Sequence, residues 1–114
     1  MSNLTNSVRL TGYLGAAPEI KITENEKKLA RISLATHAFK RDGDDGLVKT
    51  TDWHQIVLWG KQAELAEKYL DKGSEIAIEG RLSYRYYTAG DGTKRFTTEV
   101  VVNDIHLFGK RQSA

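Results

Sequence analysis

The strongest candidate for chemistry in this chain is the stretch 51–61, its most apolar run, which contains both of its tryptophans. The β-branched and aromatic residues of this stretch predict a strand. Because side chains alternate between the faces of a strand, Trp53 and Trp59 share one face, while Ile56 and Leu58 share the other and are expected in the core. A buried indole N–H needs a hydrogen-bond partner, whereas an exposed indole on a rigid strand can stack a base. The alternative is that the indoles cover a barrel end or a subunit interface.

The polar residues do not form a catalytic set. His37, His54 and His106 fall on three different predicted strands, and their spacing does not support a metal site. Asp52 is close enough to His54 in sequence to orient it as a base, but no nucleophile accompanies the pair. The motifs of serine hydrolases, phosphate loops and zinc proteases are absent. We therefore expect neither an enzyme nor a cofactor nor a metal.

Basic and aromatic residues alternate around the ends of the predicted strands. They occur together at 39–41, 53–61, 84–87 and 94–96. Single-stranded nucleic acid is bound by flat faces for the bases and cations for the phosphates, interleaved along a groove. Any one of these cations alone would be interpreted as a solvated side chain near a turn. Several such groups at neighbouring strand ends favour a binding surface.

The odd or even position of a residue, its parity, decides which face of a strand it lies on and separates the tyrosines of the fourth predicted strand into two groups. Tyr84 and Tyr86 share the parity of Ile76, a core candidate, and are expected to pack. Tyr87 shares the parity of Arg85 and is the better candidate for a ligand contact.

The elements that must position these residues follow from hydrophobic periodicity. We predict strands within 6–15, 29–39, 51–61, 74–87 and 95–108, a short extended segment at 19–22, and a helix over 61–72. The charged segment 40–50 is expected to be a turn-rich connection, and 89–93 a hairpin turn. Three strands, one helix and two strands is the order of an all-β, five-stranded OB-fold Greek-key barrel, and this is the predicted fold.

Composition sets broad limits on the class of protein. With 114 residues the chain is long enough for one domain, expected over 1–109, with 110–114 as a frayed tail. Cysteine is absent, the net charge is only +2, and no apolar run approaches the length that spans a bilayer. The first residues have no signal-peptide pattern, so a cytoplasmic location is expected.

These segments together resemble the bacterial single-stranded DNA-binding protein family. The resemblance runs from about 6 to 111 and is carried by the following stretches: 8–15 with Pro18-Glu19, Ile32-Ser-Leu-Ala-Thr36, 52–61, 65–73, Ile78-Glu-Gly-Arg-Leu82 and 96–103. It implies an OB-fold homotetramer that wraps single-stranded DNA without sequence preference, acts in replication, recombination and repair, and lies in the bacterial cytoplasm at the nucleoid.

The resemblance also implies roles for particular residues. The family's stacking aromatics correspond to Trp53, Trp59 and Tyr87, and its subunit-contact histidine to His54. The basic positions along its DNA path correspond to Lys61, Lys72, Arg85 and Arg95.

The sequence departs from the family pattern at two places. Lys40 stands where well-known members have a further stacking tryptophan, and Phe39 is one residue earlier. A one-residue step reverses the direction of a side chain in a strand, so Phe39 would replace that tryptophan only if the strand frayed or bulged. The family usually continues into a linker and an acidic, Phe-terminated tip, but this sequence stops at Ala114. We therefore expect the chain to lack tail-mediated recruitment of other replication and repair proteins.

The leading hypothesis is a sequence-independent binder of single-stranded DNA. Two alternatives remain open from the residues: an OB-fold adaptor that contacts replication proteins and binds DNA weakly, and an OB-fold binder of RNA or oligosaccharide. Retention of aromatics at three contact positions disfavours the adaptor. Competition between matched DNA and RNA oligomers for the protein would distinguish an RNA binder from a DNA binder.

Overall fold

The computed structural model describes residues 4–41, 43 and 46–110, which form six strands and one helix. The elements in chain order are β1 (Val8–Leu14), β2 (Glu19–Ile22), β3 (Lys28–Arg41), β4 (Leu47–Trp59), α1 (Lys61–Tyr69), β5 (Ser74–Thr88) and β6 (Lys94–Lys110). In the described part of the chain no helix is long and apolar enough to cross a membrane.

The strands close into a ring. Their order is β1-β5-β6-β4-β3-β2, and β1 also pairs with β3 through Tyr13 and Leu14. Both β1 and β2 pair antiparallel with β3, so together they serve as one first strand that bends around Pro18. The helix then lies between the third and fourth of five strands, as the sequence predicts.

The core lies inside this ring and is built from the alternating apolar residues of every long strand. Ile56 and Leu58 are fully buried, which confirms the predicted core face of the tryptophan strand. The helix closes the core with its small residues Ala63 and Ala66. Burying these side chains is the main driving force for folding.

Two glycines permit the strands to pass close to one another. A methyl group built on Gly12 would lie 2.1 Å from the carbonyl oxygen of Ala35, and one on Gly80 would lie 2.2 Å from that of Val101. Since both obstacles are backbone atoms, no side-chain movement could relieve them. Glycine at these two positions therefore has a steric cause, and a register shift accompanies Gly80.

Two hairpin ribbons extend beyond the barrel. The β3–β4 ladder continues without a register shift to the pair Arg41 and Leu47, and the β5–β6 ladder continues to Thr88 and Lys94. The interpretation of 40–50 as a turn-rich connection was thus too broad, because cross-strand pairing extends the strands to both ends of a short loop. The predicted turn at 89–93 is confirmed by the backbone hydrogen bond from Ala89 N–H to the Thr93 carbonyl, at 2.8 Å.

The helix is shorter than predicted. It ends at Tyr69 because Leu70 adopts an extended conformation and turns its side chain into the core, with 6% exposure. Gly73 has a positive φ of 88°, and its N–H donates to the carbonyl of Leu14. The last residues of the predicted helix, 70–72, therefore belong to a turn that joins the helix to the barrel.

The predicted packing of Tyr84 and Tyr86 in the core is wrong. They are 59% and 77% exposed, because β5 has left the barrel at that point and its former core face meets solvent. Both instead lie against Phe96 on β6, with ring centroids 5.7 and 6.0 Å apart. At the other end, β6 includes Lys110 of the predicted tail, while 111–114 lie outside the described residues.

Candidate nucleic-acid interface

The outer face of β4 carries both indoles. Trp53 is 59% exposed and Trp59 is 42% exposed, whereas Val57 between them is buried. Six residues of strand separate the two rings by about 20 Å. The indoles therefore lie on the surface of the chain rather than in its core.

Small residues beneath Trp53 fix the position of its ring. Ala35 is directly opposite Trp53 in the β3–β4 ladder and is 5% exposed. A methyl group on Gly15 would lie only 2.5 Å from Cζ3 of Trp53, so the indole reaches across β3 to the end of β1. An indole resting on a glycine and an alanine presents its other face to solvent, as stacking requires.

A buried carboxylate organises two arginines at the centre of this face. Oε2 of Glu99 lies 3.2 Å from Nη1 of Arg31, and Oε1 lies 3.5 Å from Nε of Arg85. Glu99 is 7% exposed. These three residues, with Gln55, Tyr87 and Thr97, line a cavity of about 280 Å³. Two guanidinium groups sharing one carboxylate leave a net positive charge between the aromatic rings, which suits a phosphate.

The β5–β6 ribbon places Tyr87 beside cations. The guanidinium carbon of Arg85 lies 5.8 Å from the centroid of the Tyr87 ring, and Arg95 is directly opposite Tyr87 in the ladder. Nη2 of Arg95 is 3.9 Å from the carboxylate of Asp91, a long and exposed ion pair that leaves the guanidinium accessible. Three of the predicted site residues are therefore neighbours.

The other tryptophan lies among charged side chains of both signs. Trp59 lines a cavity of about 570 Å³ together with Lys27, Lys28, Lys61, Glu26 and Glu64. Nζ of Lys28 is 2.6 Å from a carboxylate oxygen of Glu67, and this hydrogen bond raises the pKa of Lys28 above its ordinary value of 10.5. Lys28 is thus firmly charged at neutral pH.

The regular β3–β4 ladder settles the directions of residues 39 and 40. Directly paired residues of an antiparallel ladder project to the same side, so Phe39 shares the side of Trp53, and Lys40 projects to the opposite side. The ladder has no register shift there, so Phe39 does not take the direction of residue 40, and the condition under which it would replace the family's tryptophan is not met. Phe39 is 67% exposed.

Of the two remaining predicted residues, one lies at the margin of this face and the other on the opposite side of β4. Lys72 belongs to the turn that is bonded through Gly73 to Leu14, next to the glycine beneath Trp53. His54 is on the inner side of β4 at the barrel mouth, where its Nε2 is 2.8 Å from Oγ1 of Thr36.

Five residues of this face did not stand out in the sequence as contacts. They are Arg31, Gln55 and Glu99 at the centre and Lys27 and Lys28 beside Trp59. The parity of Arg31 and Gln55 does match that of the exposed tryptophans. The partnership of Arg31 with Glu99 joins residues far apart in sequence, so no local pattern reveals it.

A closed ring of strands with an outer face of aromatic rings and cations defines an OB-fold domain of the nucleic-acid-binding type. The chain belongs to the single-strand binding protein family, whose model matches residues 5–108. It is 39% identical over 111 residues to a protein of Xanthomonas axonopodis pv. citri named single-stranded DNA-binding protein. A protein of Xylella fastidiosa with the same name is also 39% identical over 111 residues. Each match covers 97% of this chain.

A solved structure agrees with the OB-fold prediction. The structure described as the Plasmodium falciparum SSB complex with ssDNA matches 95% of this chain and 98% of its own, with a TM-score of 0.83 and 32% identity. The predicted fold class is confirmed. The chain spans 62% of the length of the Xanthomonas relative and 68% of that of the Xylella relative.

Proposed function

We propose that this protein binds single-stranded DNA without sequence preference and protects it during replication, recombination and repair. The observation that carries the proposal is the continuous outer face on which Trp53, Trp59 and Tyr87 are interleaved with cations. Aromatic rings stack any base because every base has a π-face, and cations follow the backbone because every nucleotide has a phosphate. Contacts of these two kinds do not depend on which base is bound.

The positions of the residues indicate which of them stack on bases and which contact phosphates. Trp53, Trp59 and Tyr87 stack bases, and Lys61, Lys72, Arg85 and Arg95 contact phosphates. Phe39, on the side of Trp53, is the aromatic contact of the β3–β4 ribbon, while Lys40 offers a charge on the other side. Arg31 joins the phosphate contacts through its place beside Arg85 and Glu99.

Assembly and location form part of the same proposal. The chain acts as a homotetramer in the bacterial cytoplasm, associated with the nucleoid, with His54 near a subunit contact. It stabilises DNA by binding and performs no catalysis. The exposed former core face at Tyr84 and Tyr86 is consistent with a chain that covers apolar surface through assembly.

The test is a titration of tryptophan fluorescence with poly-dT at two salt concentrations. The chain has two tryptophans, and both belong to the proposed contact face, so the signal reports directly on it. We expect strong quenching, with an affinity that falls as salt rises, because bound lysines and arginines release counterions from the DNA.

Two outcomes would contradict the proposal. Absence of quenching by a folded protein would place the indoles away from DNA and favour the adaptor function. An affinity that does not change with salt would contradict phosphate contacts. Competition with a matched RNA oligomer extends the test, because tighter binding of RNA would make RNA the ligand.

A further inference from the structure

A histidine lies between the aromatic contacts of the β3–β4 ribbon. His37 is on β3, two residues before Phe39 and two after Ala35, which is opposite Trp53. All four side chains therefore project from the same side of the ribbon. Residues two apart on a strand are about 6.6 Å apart, so His37 fills the interval between Phe39 and the Trp53 platform.

Two neighbours hold the imidazole ring in place. Its Nδ1 lies 3.0 Å from Oγ1 of Thr51, the residue opposite it on β4. On the other flank, the Tyr13 ring of β1 has its centroid 6.1 Å from that of His37, at an interplanar angle of 35°. Within the described part of the chain this ring makes no other hydrogen bond, and the side chain is exposed, so Nε2 is accessible to a ligand.

The charges around His37 favour an anion. The charged and titratable side chains that parity and register place on its side of the neighbouring elements are Tyr13 on β1, Lys49 on β4, Arg41 on β3 and Glu75 on β5, which is opposite Tyr13. Asp52 is opposite Thr36 and so belongs to the other side. Of these side chains only Glu75 is acidic, and its strand is separated from the imidazole by Tyr13 of β1.

We propose that His37 is an additional nucleic-acid contact that stacks on a base at neutral pH and, when protonated, also binds a phosphate, so that affinity for single-stranded DNA rises as the pH falls. This inference rests on the proposed DNA-binding function. Imidazole rings stack on unpaired bases as other aromatics do. Imidazole is also the side chain whose charge ordinarily changes between about pH 5 and 8.

The test compares the wild-type protein with three variants in binding a dye-labelled oligo-dT, whose base carries no group that protonates in this range. His37→Gln removes both the ring and the charge, whereas His37→Phe keeps a ring that cannot be protonated. His106→Gln is the matched control, since His106 lies on β6 rather than on the β3–β4 ribbon and lines a groove with Arg9 and Thr11. Affinity is measured by fluorescence anisotropy from about pH 6 to 8 and at several salt concentrations.

We expect His37→Gln to bind about fivefold or more weakly at every pH, the lower end of what one stacked base contributes. His37→Phe should match the wild type at about pH 8 and lack its gain in affinity at about pH 6. The wild-type plot of log affinity against log salt should also steepen at the lower pH by about 0.7, the value for one phosphate contact on a single strand.

Failure of this inference is distinguishable from failure of the proposed function. If the wild type binds DNA with salt-dependent tryptophan quenching but His37→Gln behaves like the wild type and like His106→Gln, the role of His37 is overturned alone. If His37→Phe gains affinity at low pH as the wild type does, protonation of His37 is not the cause. If the wild type does not bind at all, the proposed function itself fails.

Discussion

At the residue scale, the outer face is defined by small residues as much as by large ones. Trp53 can lie flat across β3 only because Ala35 and Gly15 leave room for its indole. The side chain is therefore held in one orientation before any ligand arrives. Preorganisation of this kind increases affinity, because less side-chain entropy is lost on binding.

This packing predicts the effect of Gly15→Ala. The added methyl group would displace the indole, and a side chain can move where backbone cannot, so DNA affinity should fall while the fold persists. Gly90→Ala is the matched control, since nothing lies within 4 Å of a methyl group built there. Affinity is measured by anisotropy and folding by circular dichroism. Unchanged affinity in Gly15→Ala would show that the position of the indole does not matter.

Stacking itself predicts the effect of removing either indole. Trp53→Ala and Trp59→Ala should each weaken binding of single-stranded DNA by about 1–3 kcal/mol while the protein remains folded. Tyr69→Ala, which removes a 61% exposed ring from the helix, serves as the control and should bind normally. Anisotropy titrations measure all three variants. Wild-type affinity in both tryptophan variants would rule out the stacking roles.

At the element scale, the alternating pattern predicted strands well and their ends poorly. The parity of Trp53, Ile56 and Leu58 was correct because side chains alternate between the two faces of a strand, although Val57 on the outer face is buried as well. The same rule failed for Tyr84 and Tyr86, because parity does not reveal where a strand leaves the barrel. Ribbon length depends on pairing with a distant partner, which local sequence does not specify.

In the candidate site, too, the sequence predicted some residues and missed those that are brought together by contacts between distant parts of the chain. The stacking residues and several cations were predicted through family resemblance, and those roles remain predictions. The cluster of Arg31, Glu99 and Arg85 was not predicted, because its residues come from three strands that are separated by long stretches of sequence. The direction of Phe39 depended on whether the ladder was regular, which only its full register decides.

The tip of the β5–β6 ribbon predicts a dependence of stability on pH. Asp91 accepts a hydrogen bond from the backbone N–H of Thr93 at 3.0 Å, which lowers the pKa of Asp91 below its ordinary value of 3.8. Because the pKa is lower in the folded chain, the carboxylate stabilises the fold above that ordinary value, and this is lost as the pH falls through the lowered pKa.

We therefore expect Asp91→Asn to lower the Tm slightly at neutral pH and to lose this difference in strong acid. Thermal unfolding followed by circular dichroism from about pH 7 down to about pH 2.5 measures both proteins. Asp104→Asn is a suitable control, since Asp104 accepts a hydrogen bond from the next backbone N–H at 3.0 Å and lies outside this turn. A difference that stays constant with pH would show that the charge of Asp91 is not responsible.

At the scale of the whole molecule, the protein is a barrel with two projecting ribbons. Its principal extents are 54 × 36 × 33 Å, and the long axis reflects the ribbons. The barrel supplies the core, while Phe39, Tyr87 and Arg95 lie on the ribbons. A ligand that follows the outer face of β4 and reaches both ribbons must bend around the barrel, which suits a flexible single strand.

Assembly gives the prediction at this scale. We expect sedimentation to show a homotetramer at about pH 8 that loosens at about pH 5, because protonation of His54 adds charge at the barrel mouth and changes its hydrogen bond with Thr36. His37→Phe should sediment as the wild type does at both values, since His37 lies on the opposite side of the ribbon. One identical species at both pH values would rule out His54 as the cause.

The separation of ribbons from core has a consequence for how such a protein diverges. Exposed residues on a two-stranded ribbon pack against few neighbours, so most substitutions there change stability little. A gain or loss of an aromatic residue at positions such as 37, 39 or 87 can therefore alter binding without unfolding the barrel. Mutational tolerance is concentrated where the ligand is expected to lie, which makes the ribbons the part of this chain in which new binding properties can evolve or be engineered.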